Sequence, residues 1–408
     1  MAVSPAVGVG KLSRVTSIYL DWNATAPLSA AARAAWLAAQ DEAWANPASV
    51  HEPGQRARHQ LDQAKAVCAR LLGCRVHELV VTSGGTEANA LAIHAAVTAR
   101  AQGPVRGVGG DDAGPLILAS AIDHSSVLRN AELHGRLVRL PVDQHGRLSP
   151  ETLRAALAPG PRTPDAGPAL VCLQFANNEL GTRQDIAALL AVVRAVSPAT
   201  RVLLDCAQGA GKVAIDLGTL DVDFASIAGH KFGAPKGVGL LFVKSGVRIP
   251  PLISGGRQQQ DRRSGTEDAA GIAALAAALA AALEHASDED IRQRLLLESA
   301  FARVARDLPQ ARWLAHAAER LPNTLSLAHP GIANEALVMR LDLAGIAVST
   351  GAACMAARGD PSHVIAALGL DASLTRGVIR VSIGPATTVD DLDAFAFAYV
   401  REVRALLG

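Results

Sequence analysis

The chain has 408 residues, half of them hydrophobic but only 3% aromatic, and a formal charge of +1 at pH 7. That length suggests two or three structural units, with an interior built from Ala, Leu and Val. The balance of charge excludes a broad field suited to nucleic acid or an anionic membrane, so a small-molecule substrate is expected.

Short runs rich in Val, Ile and Leu alternate with longer Ala, Leu and Arg segments of helical spacing, the pattern of a mostly parallel sheet covered by helices. Residues 1–17 form an N-terminal segment whose Lys11 and Arg14 follow a mildly apolar stretch, the reverse of a secretory signal. Strands are predicted at 78–82, 115–119, 169–174, 202–205, 223–228 and 238–243, each short enough to be buried on both faces. Gly, Pro and Asp crowd residues 101–115 and 158–168, marking surface turns. After Ser264-Gly265-Thr266 the pattern changes to an Ala-rich helix over about 268–285, a second helix, strands near 324–328, 347–349 and 378–382, and a final helix to Leu407. The expected division is a large α/β domain over 18–265 and a smaller α+β C-terminal domain over 266–408. No run of 18 apolar residues occurs.

Several segments have residues suited to chemistry. Val80 to Glu87 runs from a strand through Gly84 and Gly85 into an Ala/Leu helix. Glycines allow close backbone approach, and helix-start N–H groups with a Thr hydroxyl make a phosphate cradle; an ordinary capped turn reads the same way. Asp205 ends the apolar run Val202-Leu203-Leu204, where sheet folds of this type place ligand contacts. A protonated pyridine nitrogen would suit that carboxylate, and so would solvent in a plain turn. Lys231 follows a strand in Gly229-His230-Lys231-Phe232-Gly233. Desolvation there would expose the neutral amine that Schiff-base chemistry needs, whereas Lys236 reads as a solvated neighbour.

The cysteines Cys68, Cys74, Cys172, Cys206 and Cys354 are odd in number and lack a CxxC pair. This argues against disulfides or a zinc site, no metal is expected, and a reducing, cytoplasmic setting fits. Cys68, Cys74 and Cys172 read as small buried hydrophobes. Cys354 instead lies in a run of small residues from Ser349 to Ser362, where Asp360 and Pro361 start a helix. Such a loop can present and withdraw a thiolate.

With Tyr19 to Pro27, Asn46 to His51, Asp123-His124, Asn177-Asn178-Glu179-Leu180-Gly181, Arg263 to Thr266 and Ile379 to Ser382, these segments resemble, in order and spacing, the cysteine desulfurases of the NifS/IscS type. Those belong to the class V aminotransferase superfamily, with the α/β PLP-dependent transferase fold type I. The resemblance implies a homodimer with pyridoxal 5'-phosphate held by Lys231, Asp205 paired with the pyridine nitrogen, and His124 stacked on the ring. It places Gln208 on the phenolic oxygen and Asn178 near that oxygen or the substrate carboxylate. Gly85, Thr86 and His230 would lie near the phosphate, and Thr266 would reach the phosphate of the other subunit. Arg380 resembles the arginine that binds the substrate carboxylate.

The implied reaction removes sulfur from L-cysteine. Lys231 takes the Cα proton, Cys354 receives the sulfur as a persulfide, and alanine is released. The sulfur then passes to an acceptor protein, an iron-sulfur scaffold or a sulfur carrier for thio-cofactors or tRNA thiolation. Three departures stand out: Ala228 where a Ser is usual, Met355 after the cysteine, and a chain that reaches Gly408 without the tail by which some relatives bind a scaffold protein. The alternatives are another class V enzyme, a small-substrate aminotransferase or a selenocysteine lyase, and a non-catalytic relative. Cys354 favours the desulfurase, since a transaminase needs no thiol.

Overall fold

The computed structural model describes residues 17–100, 114–158, 167–351 and 362–408. The N-terminal segment, most of both Gly/Pro-rich turns and the stretch carrying Cys354 and Met355 lie outside the described residues.

A two-residue strand β1 (Ile18–Tyr19) leads to helices α1 (Ala30–Glu42) and α2 (Glu52–Leu71). Then come β2 (Leu79–Thr82), α3 (Gly85–Arg100), β3 (Leu116–Ser120), α4 (Ser125–His134), β4 (Arg136–Leu140) and α5 (Pro150–Leu157). They are followed by β5 (Leu170–Gln174), α6 (Ile186–Val196), β6 (Arg201–Asp205), β7 (Phe224–Ala228) and β8 (Gly239–Val243). The sheet order is β2-β8-β7-β6-β5-β3-β4. Only β8 runs against its neighbours, β2 and β7; the remaining pairs are parallel.

Period-two alternation divides the strand residues between two layers. Leu203 and Phe224 join α3 and α4 on one face, whereas Leu204 and Ala225 join α2, α5 and α6 on the other. Burial on both faces is why these strands read as unbroken apolar runs. At one edge, β2 is closed by the side-chain amide of Gln259, which accepts from Val81 N–H at 2.6 Å and donates to Val81 O at 2.8 Å. That residue lies in a short turn, α7 (Gln258–Asp261). That pairing satisfies the backbone of Val81 on the strand's outer side.

The remaining elements are α8 (Ala269–Glu284), α9 (Ala286–Asp307), β9 (Arg312–Trp313), β10 (Thr324–Ala328), α10 (Asn334–Leu343) and β11 (Ile346–Ala347). The chain ends with α11 (His363–Ala367), α12 (Ala372–Thr375), β12 (Val378–Ser382) and α13 (Val389–Leu407). Strands β12, β10 and β9 form a small antiparallel sheet, and Leu297, Val304, Leu325, Phe395 and Tyr399 form its core with Leu20.

The division expected at 265/266 shifts by one helix in the packing. Helix α8 is apolar on nearly every side, so it is buried in the first core beside α1 and α2, and the second core begins in α9. The second unit also claims the N-terminal strand, because β1 pairs in parallel with β11. Among the described residues no single helix is long and apolar enough to cross a membrane.

Candidate active site

Strands β3, β5, β6 and β7 are parallel, so the loops after them gather at one end of the sheet, where open α/β folds hold ligands. A cavity of about 220 Å³ opens there. Its walls include Gly85, Thr86, His124 and Asn178, with Asp205, Gln208, His230 and Lys231 completing the predicted group. Sequence-distant segments thus bring eight expected residues together.

Lys231 stands in the turn after β7. Its Nζ donates to the backbone oxygens of Asn23 at 2.6 Å and Ala24 at 2.9 Å. Burial, reinforced by the positive Arg380, lowers its pKa to about 8, against the opposing pull of Asp21 and Asp205. A usable share of neutral amine therefore exists near neutral pH. The neighbouring His230, with Nδ1 3.2 Å from Thr25 Oγ1, is held down to about 4 by burial and then by Lys231.

Asp205 ends β6, accepting from Ala207 N–H at 2.9 Å and Asn89 Nδ2 at 3.1 Å. Asn89 also donates to Ser126 Oγ at 3.0 Å. Ser126 N–H in turn donates to His124 Nδ1, which caps α4. A neutral His124 ring then carries its proton on Nε2, and its surroundings lower its pKa, desolvation foremost. Asn89 and Ser126 thus join the two residues that the resemblance places at the pyridine nitrogen and on the face of the ring. Behind them Asp123 is 1% exposed, with one oxygen bonded to Ser120 N–H and the other unpartnered. Burial and then the Asp205 carboxylate push its pKa well up, which favours the neutral acid.

Asn177 organises the turn that presents Asn178. Its Oδ1 accepts from the N–H groups of Glu179 and Leu180, and its Nδ2 donates to Ile122 O and Gln174 Oε1. Gly181 closes the turn with φ of +77°. The left-handed conformation, not a chemical role, requires this glycine.

Two of the predicted residues are placed outside the cavity. Thr266 is exposed on the surface. Arg380 is 3% exposed, donating to the Asn178 and Gly351 carbonyls and, at 2.5 Å, to Asp21 Oδ1. Cys354 lies outside the described residues.

The sequence reading assigned no role to Asn23 or Lys212, yet both are central. Asn23, 1% exposed, makes seven hydrogen bonds. Its N–H goes to Ser382 Oγ, and Nδ2 goes to Asn178 O and Thr324 Oγ1. Its Oδ1 accepts from Lys212 and Asn323, and its backbone oxygen from Gln208 and Lys231. Lys212 Nζ also donates to Gln208 Oε1 at 2.7 Å. Burial lowers its pKa well below the ordinary range, followed by the charges of Lys231 and Arg380. The four-residue step from Gln208 to Lys212 was the available signal for Lys212.

Comparison with known proteins agrees with this geometry. The family model described as aminotransferase class-V matches residues 18–395, and the chain belongs to that family. It is 38% identical over 384 residues to a cysteine desulfurase of Cereibacter sphaeroides, covering 92% of this chain and 93% of that one. A solved NifS-like protein superimposes with a TM-score of 0.84 at 28% identity, over 96% of this chain and all of that one. A structure of SspA in complex with cysteine gives 0.74 at 26% identity, over 91% and 99% of the two chains. The fold is that of the type I PLP-dependent enzymes.

Proposed function

We propose that the chain is a pyridoxal-phosphate-dependent cysteine desulfurase. The observation that carries this reading is the cavity whose walls bring together Lys231, with a pKa of about 8, the Asp205 carboxylate, His124 and Gln208. The residues fit the cofactor. Gly85 starts a 16-residue helix at the cavity wall, where a Cβ would stand a tight 3.2 Å from Ala228 Cβ, and the free N–H groups of that helix start suit a phosphate. Thr86 and His230 would complete that cradle, Asp205 would hold the ring nitrogen, His124 would cover the ring and Gln208 would meet its phenolic oxygen. When bound, the cofactor supplies an electron sink for the pair left at Cα.

The chain's own groups do the rest. Lys231, set between two carbonyls, exchanges a proton at the substrate Cα. Arg380 and Asn178 orient the substrate carboxylate. Cys354 accepts the sulfur: its bond to sulfur forms as the substrate carbon–sulfur bond breaks, so L-cysteine and a thiol become L-alanine and a persulfide. That exchange balances without an external oxidant or reductant. The proposal includes a homodimer, consistent with Thr266 lying exposed and outside the cavity of its own chain. It also includes delivery of sulfur to a cytoplasmic acceptor protein.

The test is product formation from L-cysteine with a thiol reductant by cofactor-loaded wild type, Lys231→Ala and Cys354→Ala. Equal amounts of alanine and sulfide from wild type, lost in both variants, are expected. Full activity in Cys354→Ala would overturn the persulfide route.

A further inference from the structure

Three basic side chains converge on one three-residue stretch. Lys212 donates to Asn23 Oδ1, Lys231 to Asn23 O and Arg380 to Asp21 Oδ1. Arg380 contributes to the depressed pKa of both lysines, so the three cations sense one another. Gathering positive charge in a buried place is unfavourable unless anions compensate it. The carboxylate in direct contact is Asp21, 22% exposed at its side chain beside a guanidinium only 3% exposed. Glu179 also acts on Arg380 electrostatically, but its hydrogen bond is to Ser362 Oγ.

Among the described residues, three of the five guanidinium N–H groups are engaged, and the only carboxylate bonded to them is that of Asp21. One terminal nitrogen serves two carbonyls, the other serves Asp21, and Nε is buried without a partner. A substrate carboxylate arriving at Arg380 meets a position that another carboxylate already holds.

We propose that Asp21 is a resident competitor for Arg380, a specificity-determining carboxylate that an amino-acid substrate must displace or share. This rests on the reading of Arg380 as the carboxylate site. Asp21 keeps the guanidinium oriented and its charge compensated, and in doing so weakens the hold on any incoming monocarboxylate. Replacing it with a neutral residue leaves Arg380 in place and frees its charge for the ligand.

The experiment is calorimetric binding of L-alanine, the proposed product, to cofactor-loaded protein. Asp21→Asn and Asp21→Ser are each expected to bind L-alanine roughly ten-fold tighter or more, the size of one charge-assisted hydrogen bond. Asp21→Glu, which keeps a carboxylate, is expected to stay near wild type, and Arg380→Lys to bind more weakly. Two neutral variants are used so that the test survives if one fails to fold. Unchanged or weaker binding in the folded neutral variants, with Arg380→Lys still weakened, would overturn the competitor role and leave the Arg380 reading intact. Unchanged binding in Arg380→Lys would remove the reading itself.

Discussion

Lys231 Nζ lies 2.6 Å from the backbone oxygen of Asn23, and the same oxygen accepts from Gln208 at 3.0 Å. The stretch around Asn23 therefore braces the active-site wall from behind, tied to the large unit through Lys212 and to the small one through Ser382, Thr324 and Asn323.

Asn23→Ala removes four side-chain hydrogen bonds at a buried position and leaves Lys212 and Asn323 short of an acceptor. Unsatisfied buried donors are costly, so a loss on the order of 3 kcal/mol is expected. Urea titration would show a lower midpoint at an unchanged slope. A midpoint equal to wild type would mean that the network does not hold the two units together.

The low pKa of Lys231 sets a pH dependence. The neutral amine captures an aldehyde, and its fraction rises about ten-fold per pH unit until pH passes about 8, then levels off. The rate at which cofactor-free protein takes up pyridoxal 5'-phosphate, followed by visible absorbance, should bend near pH 8. A bend near 10.5 would contradict the desolvation argument. Reduction of the loaded protein with borohydride should then mark Lys231 and leave Lys212 unmodified in a peptide map.

Glu179 is 3% exposed, and burial raises its carboxyl pKa from 4.5 to about 7, against the opposing influence of Ser362 and Arg380. The folded chain then holds this proton more tightly than the unfolded one. Stability contributed below pH 4.5 is lost as pH rises to about 7, by on the order of 3 kcal/mol at pH 8. Glu179→Gln keeps an acceptor for Ser362 without the charge. It should be more stable than wild type at pH 8 and nearly equal at pH 4. The same difference at both values would show that the carboxyl does not titrate in this way.

Gly181→Ala should lower stability by about 2 kcal/mol or more, since φ is +77° and the added Cβ would stand 2.8 Å from Thr324 Cβ. Thermal unfolding would measure it. Because the same turn presents Asn178, weaker substrate binding should accompany the loss.

The central strands were legible because burial on both faces makes them continuous apolar runs. Strand β4 was not, since Arg136 and Arg139 interrupt it at the sheet edge, where one side needs no partner. Helix α8 is legible as a helix, but its packing beside α1 and α2 is not, because its composition does not say which surface it covers. Asp205 and Lys231 were legible from their places at strand ends. Asn23 was hidden: its bond to Ser382 spans 359 positions, and only the folded chain brings seven partners to one amide and its backbone. Asn89 offered a signal in being a polar residue inside the buried Ala/Leu face of α3.

The central claim is most directly tested by a single turnover without reductant. Cofactor-loaded protein is mixed with an equimolar amount of L-cysteine, alanine is quantified, and Cys354 is examined by peptide mass spectrometry. The account predicts alanine in an amount equal to the sulfur added on Cys354, with neither product in Lys231→Ala. Alanine formed with Cys354 unmodified, or Cys354 unmodified and no alanine, would contradict it.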